Sequence, residues 1–216
     1  MRRWVRFLRA TPCLVLLLVQ LGGVVIYPFM ADSFAGRAAF SVFGLLVLML
    51  TIVALRATPY FTWVGALVFV PAAALLLYGA FTGTEKLFGW SAGFELVGYF
   101  YAGISMLAYM LKDEEVCVDE LWAIPAVFTL FAWAFTYLFV VVQALDPGAF
   151  GHGLERTWME LLFLSFTTLS STGLSDIVPV TGHARSVVML EQLAGIFYIA
   201  MVVTRLVSLR AGRSRA

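Results

Sequence analysis

Residues 155 to 181 read Glu155-Arg156-Thr157-Trp158-Met159-Glu160-Leu161-Leu162-Phe163-Leu164-Ser165-Phe166-Thr167-Thr168-Leu169-Ser170-Ser171-Thr172-Gly173-Leu174-Ser175-Asp176-Ile177-Val178-Pro179-Val180-Thr181. The run up to Leu169 is amphiphilic, and at about fifteen residues it falls short of the roughly 20 that a bilayer span needs. It passes into a hydroxyl-rich stretch with a glycine, which makes a poor helix. A full apolar span follows. Irregular backbone at membrane depth is tolerated only where it is buried in protein or lines a water-filled cavity. A half-helix followed by an unwound segment therefore reads as a re-entrant pore loop, with a pore helix over 155–169 and a filter over 170–176.

The surrounding chain supplies the membrane context. Of 216 residues, 62% are hydrophobic and 12% charged, against about 25% charged in a soluble domain. Apolar runs predict spans at 11–30, 38–55, 60–81, 91–111, 121–144 and 184–208. The first run carries no clear small-residue cleavage site, so it reads as a span rather than a removed secretory signal. Pro59, Gly83, Gly89, Pro147 and Gly148 punctuate the boundaries. The expected fold class is an all-α membrane protein with six transmembrane helices per subunit and the pore loop between the last two. Its parts are a four-helix N-terminal membrane domain (1–112), an acidic cytoplasmic linker (113–120) and a pore domain (121–210).

Positive charge orients the spans. With the N-terminus inside, Arg2, Arg3, Arg6, Arg9, Arg56, Lys112, Arg205, Arg210, Arg213 and Arg215 fall on the cytoplasmic side, and Arg37, Lys86, Arg156 and Arg185 outside. Both termini are then cytoplasmic, and the short form suits a bacterial inner (plasma) membrane. A net charge of +1 gives no argument for nucleic acid. Cys13 and Cys117, in a span and an acidic loop, suggest neither a disulfide nor a metal site. No catalytic triad, phosphate loop or metal cluster is visible, so an enzyme is not expected.

The loop has a specific chemistry. A half-helix points its C-terminal end, with its partial negative charge, toward the membrane centre, which favours a cation. The extended segment can present carbonyl oxygens to a dehydrated ion. Gly173 can adopt backbone angles denied to other residues, and Ser171 or Thr172 can add hydroxyl oxygens. These hard donors suit an alkali cation.

The stretch Thr168-Leu169-Ser170-Ser171-Thr172-Gly173-Leu174-Ser175-Asp176-Ile177-Val178-Pro179 resembles the potassium-channel signature Thr-Leu-Thr-Thr-Val-Gly-Tyr-Gly-Asp-Ile-x-Pro. Arg185, Leu190-Glu191, Gly195, Tyr198 and Arg205-Leu206 in the last span also look like the inner helix of small bacterial ion channels. The resemblance covers about 121–210. It implies a homotetramer in membrane lipid with a central pathway for potassium or another monovalent cation, needing no cofactor. It implies a filter lined by Ser171, Thr172, Gly173, Leu174 and Ser175, with potassium at the carbonyls of Ser171, Thr172 and Gly173. Asp176, Leu164, Phe163, Thr167 and Glu191 would support the filter, and Gly195 is a candidate gating hinge. Glu191 reads either as a hydrogen bond behind the filter or as a direct ion or gating group.

Three filter positions depart from the signature: Thr172 for Val, Leu174 for the aromatic, and Ser175 for the second glycine. Leu174 is expected to pack on Leu164. Ser175 is expected to be strained, since a non-glycine residue at positive φ costs roughly 1 kcal/mol or more. The alternative function is therefore a weakly selective or non-conducting channel-like membrane protein acting as a sensor or partner subunit. The span 91–111 lacks Arg and Lys, which argues against voltage sensing by moving arginines. No soluble regulatory domain is read in the chain. Glu95 reads as a helix-end acid near the outer interface, Trp158 as an interfacial anchor of the pore helix, and His152 and His183 as loop residues flanking the pore.

Overall fold

The computed structural model describes residues 11–30, 34–54, 86–112, 118–151 and 155–213, with isolated positions between 70 and 78. Most of the expected span 60–81, His152, Cys117 and most of the charges used for orientation lie outside the described residues or side chains. Among the described residues the elements are all helical. They are α1 (Pro12–Met30), α2 (Phe34–Ala54), α3 (Lys86–Lys112), α4 (Val118–Leu145), α5 (Trp158–Leu169) and α6 (Gly182–Arg213). Four are long and apolar enough to cross a membrane: α1, α3, α4 and α6. Backbone groups in hydrocarbon need partners within their own segment, which is why these apolar runs are helices.

The chain packs around α4, whose apolar residues face neighbours on several sides. Ala123, Ala126, Val127, Leu130, Trp133, Ala134 and Tyr137 of α4 share one core with Leu16 and Leu17 of α1, Val47 and Leu48 of α2, and Tyr99 and Met106 of α3. Leu162 of α5 and Tyr198 of α6 join the same core. The small residues at 123, 126 and 134 let neighbouring helices approach closely, as in membrane bundles generally. A second cluster at the α5 N-terminal end joins Phe139, Val142, Ala149, Phe150, Leu161, Leu164, Ile177, Ala184 and Val188.

Two helices begin or end differently from expectation. Asp119 and Glu120, read as the end of a linker, form the first turn of α4, where negative side chains are favoured by the helix dipole. The pore helix starts at Trp158 rather than 155, because Thr157 is its N-cap.

Two further expectations are corrected. Glu95 is 2% exposed and hydrogen-bonds Tyr137, beside Tyr99, whose hydroxyl donates to the Gly44 carbonyl at 2.8 Å. It belongs to the interior of the bundle, not to an interface, because an acid between helices is satisfied by protein groups more cheaply than by lipid. Trp158 packs its ring on Tyr27 and Trp133 at 5.1 and 5.3 Å, so it fastens the start of α5 to α1 and α4.

Candidate ion-conducting site

The site is built on α5. Thr157 and Glu160 close its N-terminus with a capping box: the Thr157 hydroxyl accepts from the Glu160 amide, and the Glu160 carboxylate accepts from the Thr157 amide at 2.7 Å. Arg156 pairs with Glu160 at 3.2 Å and donates to the Phe150 carbonyl at 3.1 Å. Gln143 of α4 accepts from the Arg156 amide at 2.8 Å and donates to its carbonyl at 3.0 Å. Partial desolvation pushes the Glu160 carboxyl up, but the Thr157 amide and hydroxyl and the Arg156 guanidinium together hold it below the usual carboxylate range. These residues fix where the half-helix begins. The signal that reveals them is Thr-x-x-Glu before an apolar run, which the reading of the loop passed over.

The other end of α5 leads into the loop expected to form the filter. Ser170 is the C-cap and Ser171 follows with φ 59°. The Ser171 amide donates to the Thr168 carbonyl at 3.0 Å, and the Thr172 amide to the Thr167 carbonyl at 2.9 Å. This pairing with a left-handed residue after the cap is a Schellman motif, usually made with glycine. The Gly173 amide, at φ 68°, also donates to the Thr167 carbonyl, at 3.0 Å. In a trans peptide the C=O points opposite to the N–H. Three amides bonded back to the helix therefore turn the carbonyls of Ser170, Ser171 and Thr172 away from it. The Ser170 and Thr172 hydroxyls bond each other at 2.7 Å. Ser170, Ser171, Thr172, Gly173 and Leu174 are all exposed, so the loop presents hydroxyl and backbone oxygens together with the Leu174 side chain.

The structure relocates the strain. Ser171, not Ser175, is the non-glycine residue at positive φ among the described residues. Ser175 instead uses its hydroxyl to accept from the Ile177 amide at 3.1 Å, a local turn that glycine could not make. Leu174 is 73% exposed and does not pack on Leu164; that place in the cluster is taken by Ile177. Phe163 and Asp176 are exposed. Thr167 is buried, and its carbonyl holds both filter amides. Glu191 is fully buried and hydrogen-bonds the Ser165 hydroxyl behind the filter, while Ser165 also reaches the Ala132 carbonyl at 2.8 Å. Gly195 is buried against the last turn of α5. Among the described residues no group of His, Cys, Asp or Glu could hold a metal ion. The exposed loop at 170–174 offers hydroxyl and backbone oxygens, which are hard donors.

Four helices of spanning length accompany a short apolar helix that ends in an exposed, hydroxyl-rich loop. Residues 123–210 match the family model described as "Ion channel", which supports a likeness of this segment to potassium-channel pore domains. The apolar helices and this match together support an integral membrane protein. Neither the curated proteins nor the solved structures compared with it include a match.

Proposed function

We propose that the chain forms a passive monovalent cation channel, conducting potassium, through a homotetrameric pore. One observation carries this reading: at the end of the half-helix the amides of Ser171, Thr172 and Gly173 bond back to α5, which turns the carbonyls of Ser170, Ser171 and Thr172 away from it in an exposed loop, overlapping the expected ion-holding carbonyls of Ser171, Thr172 and Gly173 at the first two. Backbone oxygens cannot face hydrocarbon unsatisfied, so this face requires a water-lined cavity completed by other copies. One chain supplies one loop, and rotational symmetry supplies the rest. The exposed flank of α6 supports the same arrangement. Its buried residues form one stripe, Ala184, Val188, Glu191, Gly195 and Tyr198, while Leu190, Leu193, Ile196, Phe197 and Val203 are exposed. Orientation follows from the charge count, with both termini cytoplasmic in a bacterial plasma membrane.

The likeness of Thr168–Pro179 to the potassium-channel signature supports potassium as the ion. A second reading, a weakly selective pore, is favoured by Ser175, which stands where the signature has glycine and is engaged in its own turn. The test is flux from purified protein in potassium-loaded liposomes, with sodium in a parallel set and the subunit count taken from native mass spectrometry. A tetramer passing potassium well above sodium is the expected result. Equal flux establishes the weakly selective pore. A folded tetramer silent in both ions, with a lipid screen negative, overturns conduction and leaves a sensor or partner subunit.

A further inference from the structure

Behind the filter, two helices meet in matching register. Ser165 and Leu169 stand one turn apart on α5, and Glu191 and Gly195 stand one turn apart on α6. The first pair meets through the Ser165–Glu191 hydrogen bond. The second meets through backbone: a Cβ at Gly195 would lie 2.0 Å from the Leu169 carbonyl oxygen, 2.8 Å from its carbon and 3.1 Å from Cα. No side chain fits there, and the hydrogen occupying that direction is aimed at the carbonyl as a Cα–H···O contact. α6 runs without a break from Gly182 to Arg213. The close contact by itself accounts for glycine at 195.

Proton accounting sets the form of Glu191. A serine hydroxyl has one proton. If Ser165 gives it to the Ala132 carbonyl at 2.8 Å, the contact with Glu191 needs a proton from the carboxyl. The other carboxyl oxygen, Oε2, is buried and has no hydrogen-bond partner. An unpartnered neutral oxygen costs far less in such a place than an unpartnered charge.

We propose that Glu191, as a neutral acid, and Gly195 form a two-point seat that fixes the last turn of α5 and so sets the ion selectivity of the filter. Leu169 is followed directly by Ser170, whose carbonyl opens the row of filter oxygens, so a shift at the seat moves that row. Glu191, Ser165 and Gly195 act as positioning residues and touch no ion. The proposal rests on the cation-pore reading.

The test compares potassium-to-sodium flux ratios of the reconstituted tetramer, with folding checked by size exclusion and circular dichroism. Glu191→Leu and Ser165→Ala are expected to lower the ratio by roughly three- to tenfold, the equivalent of one net hydrogen bond. Glu191→Gln keeps a donor toward Ser165 without an ionisable group, and is expected to keep the wild-type ratio. Gly195→Ala is expected to lower the ratio as well as the flux. Loss of the ratio in Glu191→Gln to the level of Glu191→Leu overturns the neutral-acid role. An unchanged ratio in folded Glu191→Leu and Ser165→Ala overturns the seat, and reduced flux at constant ratio in Gly195→Ala makes that residue a hinge. A wild-type protein that passes no ion overturns the channel reading itself, an outcome distinct from all of these.

Discussion

At the scale of single residues, the loop proposed as the filter is governed by two left-handed positions, Ser171 and Gly173. Nothing lies within 4 Å of a methyl group added at Gly173, so Gly173→Ala meets no clash. It is nonetheless expected to lower stability by about 1 kcal/mol, the cost of the left-handed region for a residue with a Cβ. Ser171→Gly removes the same cost, offset in part by a freer unfolded chain, and is expected to leave stability equal or slightly higher. Thermal unfolding of the two variants in detergent checks the opposite signs; equal losses reject the assignment of the turn. Ser175→Gly restores the family pattern, yet it deletes the bond from the Ile177 amide. It is expected to cost about 1 kcal/mol in the same measurement, and a stabilised variant would show that the local turn contributes nothing. The sequence makes Gly173 legible, because a glycine among hydroxyl residues after a short helix has few other uses. It does not show which serine is strained. That depends on the exact residue at which α5 stops, and one residue of slippage moves the left-handed position.

At the scale of elements, α5 is a helix held at both ends by its own sequence. The capping box at Thr157 and Glu160 satisfies orphan amides at the start, and the Schellman turn satisfies carbonyls at the end. Thr157→Ala is expected to destabilise the protein by about 1 kcal/mol. The Glu160 part of the box depends on pH. Its carboxyl is held below the usual range in the folded state, so its contribution is fully present above the unfolded value and disappears as pH falls through the folded one. The gap in melting temperature between wild type and Glu160→Gln is therefore expected near neutrality and to close under acid conditions. A gap that persists at low pH rejects the linkage. Both box residues are readable in the sequence as Thr-x-x-Glu. The partners Arg156 and Gln143 are not, since the bond between them spans a loop whose path only the fold determines.

At the scale of the whole molecule, the bundle is tied at the end away from the filter by the acidic first turn of α4. Asp119 accepts from the Cys13 amide at 3.0 Å, holding the start of α1. Glu120 pairs with Arg205 of α6 at 3.6 Å, and Arg205 also donates to the Leu111 carbonyl at the end of α3, at 3.4 Å. Three N-terminal and pore elements thus converge on two adjacent acids. In the sequence these acids looked like solvated loop charge and Arg205 like an orientation signal, because both partners are distant in the chain and each charge alone is ordinary at a span end. The buried aromatic wall of Tyr99, Trp133 and Tyr137 is legible in the sequence only as apolar content, and Trp158, which packs on it, only as an anchor. What burial adds is a rule about charges: removing one partner of a desolvated pair strands the other, whereas removing both does not. Glu120 is the more buried member, and Arg205 keeps some contact with solvent. Glu120→Leu and Arg205→Met are each expected to cost about 3 kcal/mol, toward the lower end for buried pairs. The double variant Glu120→Leu with Arg205→Met is expected to recover most of that loss. Thermal unfolding of the three proteins closes the cycle. Singles within 0.5 kcal/mol of wild type, about the additivity error, would show that α6 is not held here, and additive losses would show that the two residues act separately.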